Sequence, residues 1–259
     1  MGVQTKRRLF FDIETSPNIG FFWQSGYKLQ VPYTNIIKER AIICICYKWA
    51  DEKAVHSLQW DEHQDDKEML LKFVKIANEA DELVGHNGDK YDLPWIRTRC
   101  LFHRIPMFPQ YTTIDTLKQA RSKFRFNSNR LDYIANYLGL GGKLETGFNL
   151  WRDIVLDKCK KSMAKMVKYC KQDVLLLEKV HNHLAKYVPH KTHYGVVLFD
   201  DRGSCPECGS KNLYVSKYRM TASGIKKVQF CCNNCGKYHT TSQQLANKII
   251  SEKYKNESL

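Results

Sequence analysis

Residues 7–18, RRLFFDIETSPN, constrain the fold of this chain more than any other stretch. An apolar run this short is strand length, and successive side chains of a strand point to opposite faces. With residues 9–15 extended, Asp12 and Glu14 project to the same side of a segment otherwise suited to burial. Two like charges side by side away from water are costly unless a cation lies between them. The chain must therefore build a sheet around this strand and bring positive charge to one of its faces.

The rest of the pattern supplies such a sheet. AIICICYKWA (41–50) and AVHSLQW (54–60) bracket DEK and read as an antiparallel hairpin. Met69, Leu70, Phe73, Val74 and Ala77 recur at helical spacing. ELVGHN reads as a short strand, and DLPWIRTRCLFHRI as a helix with Pro94 near its start. TTIDTL gives a fifth strand. Helical segments follow around 115–124 and 130–138, the second stopped by Gly139, and a long helix is predicted over 162–187. Strands followed by alternating helices and strands define an α/β fold, a mixed sheet with helices packed on it. The aromatic rings between 21 and 33 fit two readings, core packing and stacking on unpaired bases. GLGGK (139–143) reads as a helix stop with a basic loop, because it lacks the spacing and the Ser/Thr of a phosphate loop.

Five of the ten cysteines crowd between 205 and 235. CPEC and CNNC place Cys205, Cys208, Cys232 and Cys235 as two C-x-x-C knuckles, the ligand set of one structural zinc. The sequence between them reads as two strands, so the module is expected to be a zinc ribbon. Cys231 adjoins the second knuckle and His239 is a weaker substitute ligand. Clustered rather than scattered cysteines suit a reducing cytosol. No apolar h-region opens the sequence, and no apolar run reaches ~18 residues, so neither a secretory signal nor a membrane span is expected. The expected domains are 1–188, a linker over 189–204 that begins at Pro189, and the ribbon with a short terminal helix over 205–259, capped by Thr241 or Ser242.

The net charge is +14. Such a surplus favours a polyanionic partner, nucleic acid above all, although solubility is a plainer explanation. Residues 186–259 carry twelve basic and five acidic residues, half of the surplus in under a third of the chain. Lys211, Lys217, Arg219, Lys226 and Lys227 are candidates for phosphate contacts. A purely structural or protein-docking ribbon is the competing reading.

Further acids join the first pair. Asp92 follows a short strand at a helix entry. Tyr169 and Asp173 are four apart in the long helix and share a face beside its apolar stripe. Taken singly, each has an ordinary explanation: a solvated hairpin edge, a helix cap, a surface acid, a core tyrosine. Taken together, four carboxylates suit two divalent cations with a preference for hard oxygen, which can clamp the attacking and leaving oxygens of a phosphoryl displacement.

Their order and local sequence resemble a family. FDIET (Asp12, Glu14), NGDKYD (Asn87, Tyr91, Asp92) and YCKQD (Tyr169, Asp173) match, in order, the three motifs of DEDD-type 3′–5′ exonucleases of the ribonuclease-H-like superfamily, tyrosine subclass. The likeness is to the exonuclease domains of family B DNA polymerases and covers roughly residues 7–187. It implies a ribonuclease-H-like sheet and hydrolysis of DNA ends to 5′-mononucleotides. It also implies Mg2+ or Mn2+ held by Asp12, Glu14 and Asp173, with Asp12 bridging to a second ion near Asp92. Tyr169 would orient the attacking water and Asn87 would contact the terminal nucleotide. Asp115, in IDTL, is expected to be structural, and Asp89 matches no ligand position. The implied partners are DNA ahead of RNA, and a replication or repair protein. An exoribonuclease and a weakly catalytic accessory of a replication complex are the alternatives.

Overall fold

The acidic strand is β1 (Arg8–Thr15). The computed structural model describes residues 7–26, 29–142 and 147–257; Tyr27 of the aromatic connection and Lys143 of GLGGK lie outside them. After β1 the chain forms a small antiparallel ribbon, β2 (Ile19–Gly20) and β3 (Ile36–Lys38). It returns as β4 (Ile42–Trp49), antiparallel to β1, and β5 (His56–Gln59), antiparallel to β4. Helix α1 (Lys67–Asn78) buries all five residues of its predicted stripe. Then come β6 (Glu82–Gly85), helix α2 (Asp92–Phe102) and β7 (Thr113–Asp115). β6 lies parallel to β1 and β7 parallel to β6, so the sheet order is β5-β4-β1-β6-β7 with β1 at its centre.

Alternation along β1 divides the core. Leu9, Phe11 and Ile13 pack with Met69, Leu70 and Phe73 of α1 and Leu93 and Ile96 of α2. Phe10 faces the other way, as Asp12 and Glu14 must. It packs with Val84 and Ile114 of the sheet and with residues of two later helices, α5 (Asn149–Val155) and α6 (Lys160–Leu184). Before them come α3 (Thr116–Lys123) and α4 (Leu131–Tyr137). Gly139 takes φ +69, a left-handed conformation that closes α4 as a helix stop. A buried ion pair, Arg8 with Glu82 at 2.6 Å, joins β1 to β6.

Contacts divide the chain into two units: Arg8–Lys118 with Phe126–Val180, and Gln119–Arg125 with the residues from His181 onward. The division falls inside α6, earlier than the 189–204 stretch expected as a linker. That stretch contains α7 (Tyr194–Phe199). Tyr194 is fully buried and its N–H donates to the Pro206 carbonyl at 2.8 Å, so the segment is packed rather than free. The second unit continues with a three-stranded sheet: β8 (Leu213–Met220), β9 (Lys226–Cys232) and β10 (Tyr238–Ser242), in the order β10-β9-β8. Leu213, Val228, Phe230 and Ala246 form its core. Ser242 caps α8 (Gln243–Glu257), its Oγ accepting from the Leu245 N–H at 3.3 Å. Among the described residues no helix is long and apolar enough to cross a membrane.

Candidate functional site

Asp12 and Glu14 emerge from β1 toward α6, and Asp173 comes up from α6 to meet them. Each offers a carboxylate oxygen, and these atoms all lie within 4.8 Å of one another. Asp173 is buried, while Asp12 and Glu14 are half-buried. Tyr169 lies one turn before Asp173 and is also buried. The helix stripe supplies anchoring on either side: Met166, Cys170, Val174 and Leu177 are each 1 % exposed or less, which fixes the rotation that presents Asp173. Three carboxylates this close form a hard-oxygen donor set of the kind magnesium and manganese use.

Asp92 belongs to the neighbourhood but not to this trio. It opens α2, and its Oδ1 accepts the Ile13 N–H at 3.2 Å. β6 pairs with β1 over Arg8–Phe10, so among the described residues no strand covers the edge at the Ile13 amide. Burial pushes the Asp92 carboxyl up to about 7, and the nearby charge of Asp115 adds to the rise. Beside it, Tyr91 and Thr15 share a hydroxyl hydrogen bond of 2.9 Å. Asn87 takes φ +70, a left-handed conformation that asparagine tolerates better than most residues. Asp115 holds this turn. Its carboxylate accepts from the N–H groups of Asn87 at 3.0 Å, Asp89 at 3.4 Å, Leu117 at 2.9 Å and Lys118 at 3.2 Å. Asp115 is thus structural, and Asp89 is engaged with Lys118 at 2.7 Å.

The fold gathers three cysteines that lie far apart or singly in the sequence. Cys44, Cys46 and Cys170 are fully buried with sulfurs within 4.8 Å of one another. Cys46 lies opposite Asp12 and Cys44 opposite Glu14 across the β1–β4 ladder. The Cys170 Sγ lies 3.6 Å from Asp12 Oδ2. Burial pushes the Cys170 thiol well above its usual range. Hydrogen bonding to Cys170 and Cys44 instead lowers the Cys46 thiol to about 5, so the three sulfurs form a polarizable wall behind the acids that shares its protons unequally. Their signal was the period-two spacing of Cys44 and Cys46, legible only once the strand register is known. A second acidic group, Asp65 and Asp66 with His103, is already satisfied: Asp66 takes Arg99 at 2.8 Å and His103 at 2.6 Å.

In the second unit Cys205, Cys208, Cys232 and Cys235 converge. The sulfurs of Cys205 and Cys235 are 3.6 Å apart and those of Cys208 and Cys232 are 3.7 Å apart. A tetrahedral zinc with bonds of about 2.3 Å has sulfur–sulfur edges of about 3.8 Å, whereas a disulfide needs about 2 Å. The donor set therefore fits zinc. Cys231 stays outside it, its sulfur directed to the Cys232 carbonyl at 3.9 Å. His239 stacks on Phe230 at 5.8 Å instead of joining the sulfurs. All five candidate basic residues are exposed. Arg219 lies opposite Lys227, and with Lys217 two residues before it these three share one face; Lys226, opposite Met220, is on the other. Lys211 lies 3.4 Å from Asp201, which offsets part of its charge.

Residues 9–185 match the family described as the RNase_H superfamily. The chain belongs to that superfamily, whose members are generally nucleases. Among solved structures, the family B DNA polymerase from the hyperthermophilic archaeon Pyrobaculum calidifontis is similar in fold. The TM-score is 0.54 and the identity 18%, over 70% of this chain and 25% of the polymerase chain. This chain thus spans about a quarter of that protein's length. No curated protein sequence matches it.

Proposed function

We propose that this chain is a metal-dependent 3′–5′ exonuclease that shortens DNA from single-stranded ends to 5′-mononucleotides. The observation that carries the reading is the meeting of Asp12, Glu14 and Asp173 within 4.8 Å on a superfamily fold of nucleases. Those three residues would hold one Mg2+ or Mn2+, and Asp12 with Asp92 would serve a second. When bound, the pair of ions supplies an ionised water and offsets charge on the departing 3′ oxygen. Tyr169, fixed one helical turn from Asp173, orients that water through its hydroxyl. Asn87 contacts the terminal nucleotide, its backbone held by Asp115. Cys205, Cys208, Cys232 and Cys235 hold a structural zinc, and Lys217, Arg219 and Lys227 grip phosphates along one face of the ribbon.

The test is digestion of 5′-end-labelled single-stranded DNA, duplex DNA and RNA of one sequence, with magnesium, manganese or chelator. The expected result is a ladder shortening stepwise from the 3′ end of the DNA single strand, abolished by chelator and by Asp12→Ala. Activity of Asp12→Ala within tenfold of the parent would refute the metal site. Preference for the RNA would move the reading to an exoribonuclease.

A further inference from the structure

Among the described residues of the connection between β1 and β4, the aromatic rings are not in the core. Phe21 is 74%, Phe22 60%, Trp23 102% and Tyr33 83% exposed. Four large rings left in water within thirteen residues are unusual for a surface with no partner. The ribbon that presents them is closely built. The Phe21 N–H donates to the Asn35 carbonyl at 2.9 Å, and Asn35 Nδ2 returns a bond to the Phe21 carbonyl at 3.3 Å. At Gly20 a Cβ would lie 2.7 Å from the Asn35 carbonyl oxygen, so only glycine lets the two strands close. The base is anchored as well: the Arg40 N–H donates to Asn18 Oδ1 at 2.8 Å, and the Arg40 guanidinium lies over the Trp95 ring at 5.0 Å.

This anchorage ties the base of the ribbon to α2, the helix that Asp92 opens. Trp95 is in α2, three residues after Asp92. Phe21 follows Glu14 by seven residues, a reach of at most about 25 Å. A nucleic-acid strand advances about 3.4 Å per nucleotide when stacked, so a strand ending at the carboxylates could meet the rings within about seven nucleotides. The connection is also basic: residues 16–40 include Lys28, Lys38 and Arg40 against Glu39 alone, in a chain of net charge +14. Flat rings among cations suit unpaired bases with their phosphates, and they suit a duplex poorly, since paired bases hide their faces.

We infer that Phe21, Phe22, Trp23 and Tyr33 form a stacking platform for unpaired bases of a nucleic-acid strand whose end enters the carboxylate site. The inference rests on the nuclease reading only for the place of the strand's end. Stacking on this platform is a binding function in its own right and selects single strands.

The experiment measures binding of a fluorescent 20-nucleotide single strand and of a 20-base-pair blunt duplex by anisotropy, across a salt series. Calcium replaces magnesium so that strands stay uncut. The proteins are the full chain, Trp23→Ala, Trp23→Phe and the triple variant with alanine at 21, 23 and 33. The replaced side chains are exposed, so circular dichroism should be unchanged. Trp23→Ala should weaken single-strand binding about tenfold and the triple variant more, while Trp23→Phe stays within about threefold of the parent. The salt slope should not change, because no charge is removed. Duplex binding should stay the same. Single-strand affinity of the triple variant equal to the parent's would overturn the platform. So would equal weakening on strand and duplex, or a change in oligomeric state that identifies a second copy as the occupant. Aromatic-dependent binding by a parent protein that digests nothing in magnesium would leave the platform standing and defeat the nuclease reading alone.

Discussion

Replacing Asp173 with asparagine should make the metal-free protein more stable and the metal-loaded protein less so. The three carboxylate oxygens lie within 4.8 Å of one another. At that distance one pair of unit charges repels by about 3 kcal/mol at an effective dielectric of about 20 and by about 1 kcal/mol in water. Asp173→Asn removes two of the three pairs. Asp12 and Glu14 are half-buried, so screening reduces the sum, and a gain of about 1–3 kcal/mol without metal is expected. In a unit of this size that is a rise of roughly 2–12 °C in Tm. With magnesium at a thousand times its Kd, the parent gains about 4.1 kcal/mol while the variant, missing a ligand, gains little. Calorimetry in chelator and then in magnesium should therefore show the order of the two melting temperatures reverse. If Asp173→Asn is the less stable protein in chelator and both proteins shift equally with magnesium, the acids neither repel nor share a cation, and the metal site is wrong.

Tyr169→Phe should keep the fold and the metal, losing only a hydroxyl, and lower the single-turnover rate about 10–10³-fold; an unchanged rate would make Tyr169 a packing residue. Asp92 has a folded-state pKa of about 7 against 3.8 for the free side chain. Its ionisation is therefore disfavoured by folding, and its contribution to stability is full below about pH 4 and lost as pH rises to about 7. Asp92→Asn can still accept the Ile13 N–H and should remove that loss, by up to ~4 kcal/mol, seen as a difference in urea midpoints between the two proteins over pH 4–8 in chelator. Cys208→Ser should reduce bound zinc from one equivalent to well below half, read by atomic absorption after dialysis; full retention would mean that the four sulfurs are not the ligand set.

The sheet and the acids were legible because their signals are local. The α1 stripe from Met69 to Ala77 has helical periodicity at five buried positions, and Asp12 and Glu14 need only a strand to share a face. The i, i+4 spacing of Tyr169 and Asp173 likewise needed only a helix. What escaped lacked such a signal. Helix α5 is seven residues long, too short for periodicity to distinguish it from a strand. β10, YHTTS, has no apolar alternation and is ordered by pairing with β9. α7 falls where Pro189 and a run of turn residues suggested a linker, and the burial of Tyr194 outweighs them. Even where the site residues were named, their relation depended on register: that Asp92 reaches the backbone of Ile13, and that Cys46 stands behind Asp12, follows from pairing between segments far apart in the chain.

Asp115 gives the turn at Asn87 a property that no residue of the turn has by itself. One carboxylate accepts four amides, two from the turn and two from the first residues of α3. None of these amides can reach solvent by a movement of its own segment that leaves the carboxylate in place without giving up a charge-assisted bond, worth about 1.5–3 kcal/mol. The turn and the start of α3 therefore open as one cooperative unit, and the amide protons of Asn87, Asp89, Leu117 and Lys118 should exchange with deuterium at a common protection factor. Substitution of Asp115 would release the left-handed backbone of Asn87 and the tip of α3 in a single event, dissolving the preorganised turn while the carboxylate trio on β1 and α6 stays in place.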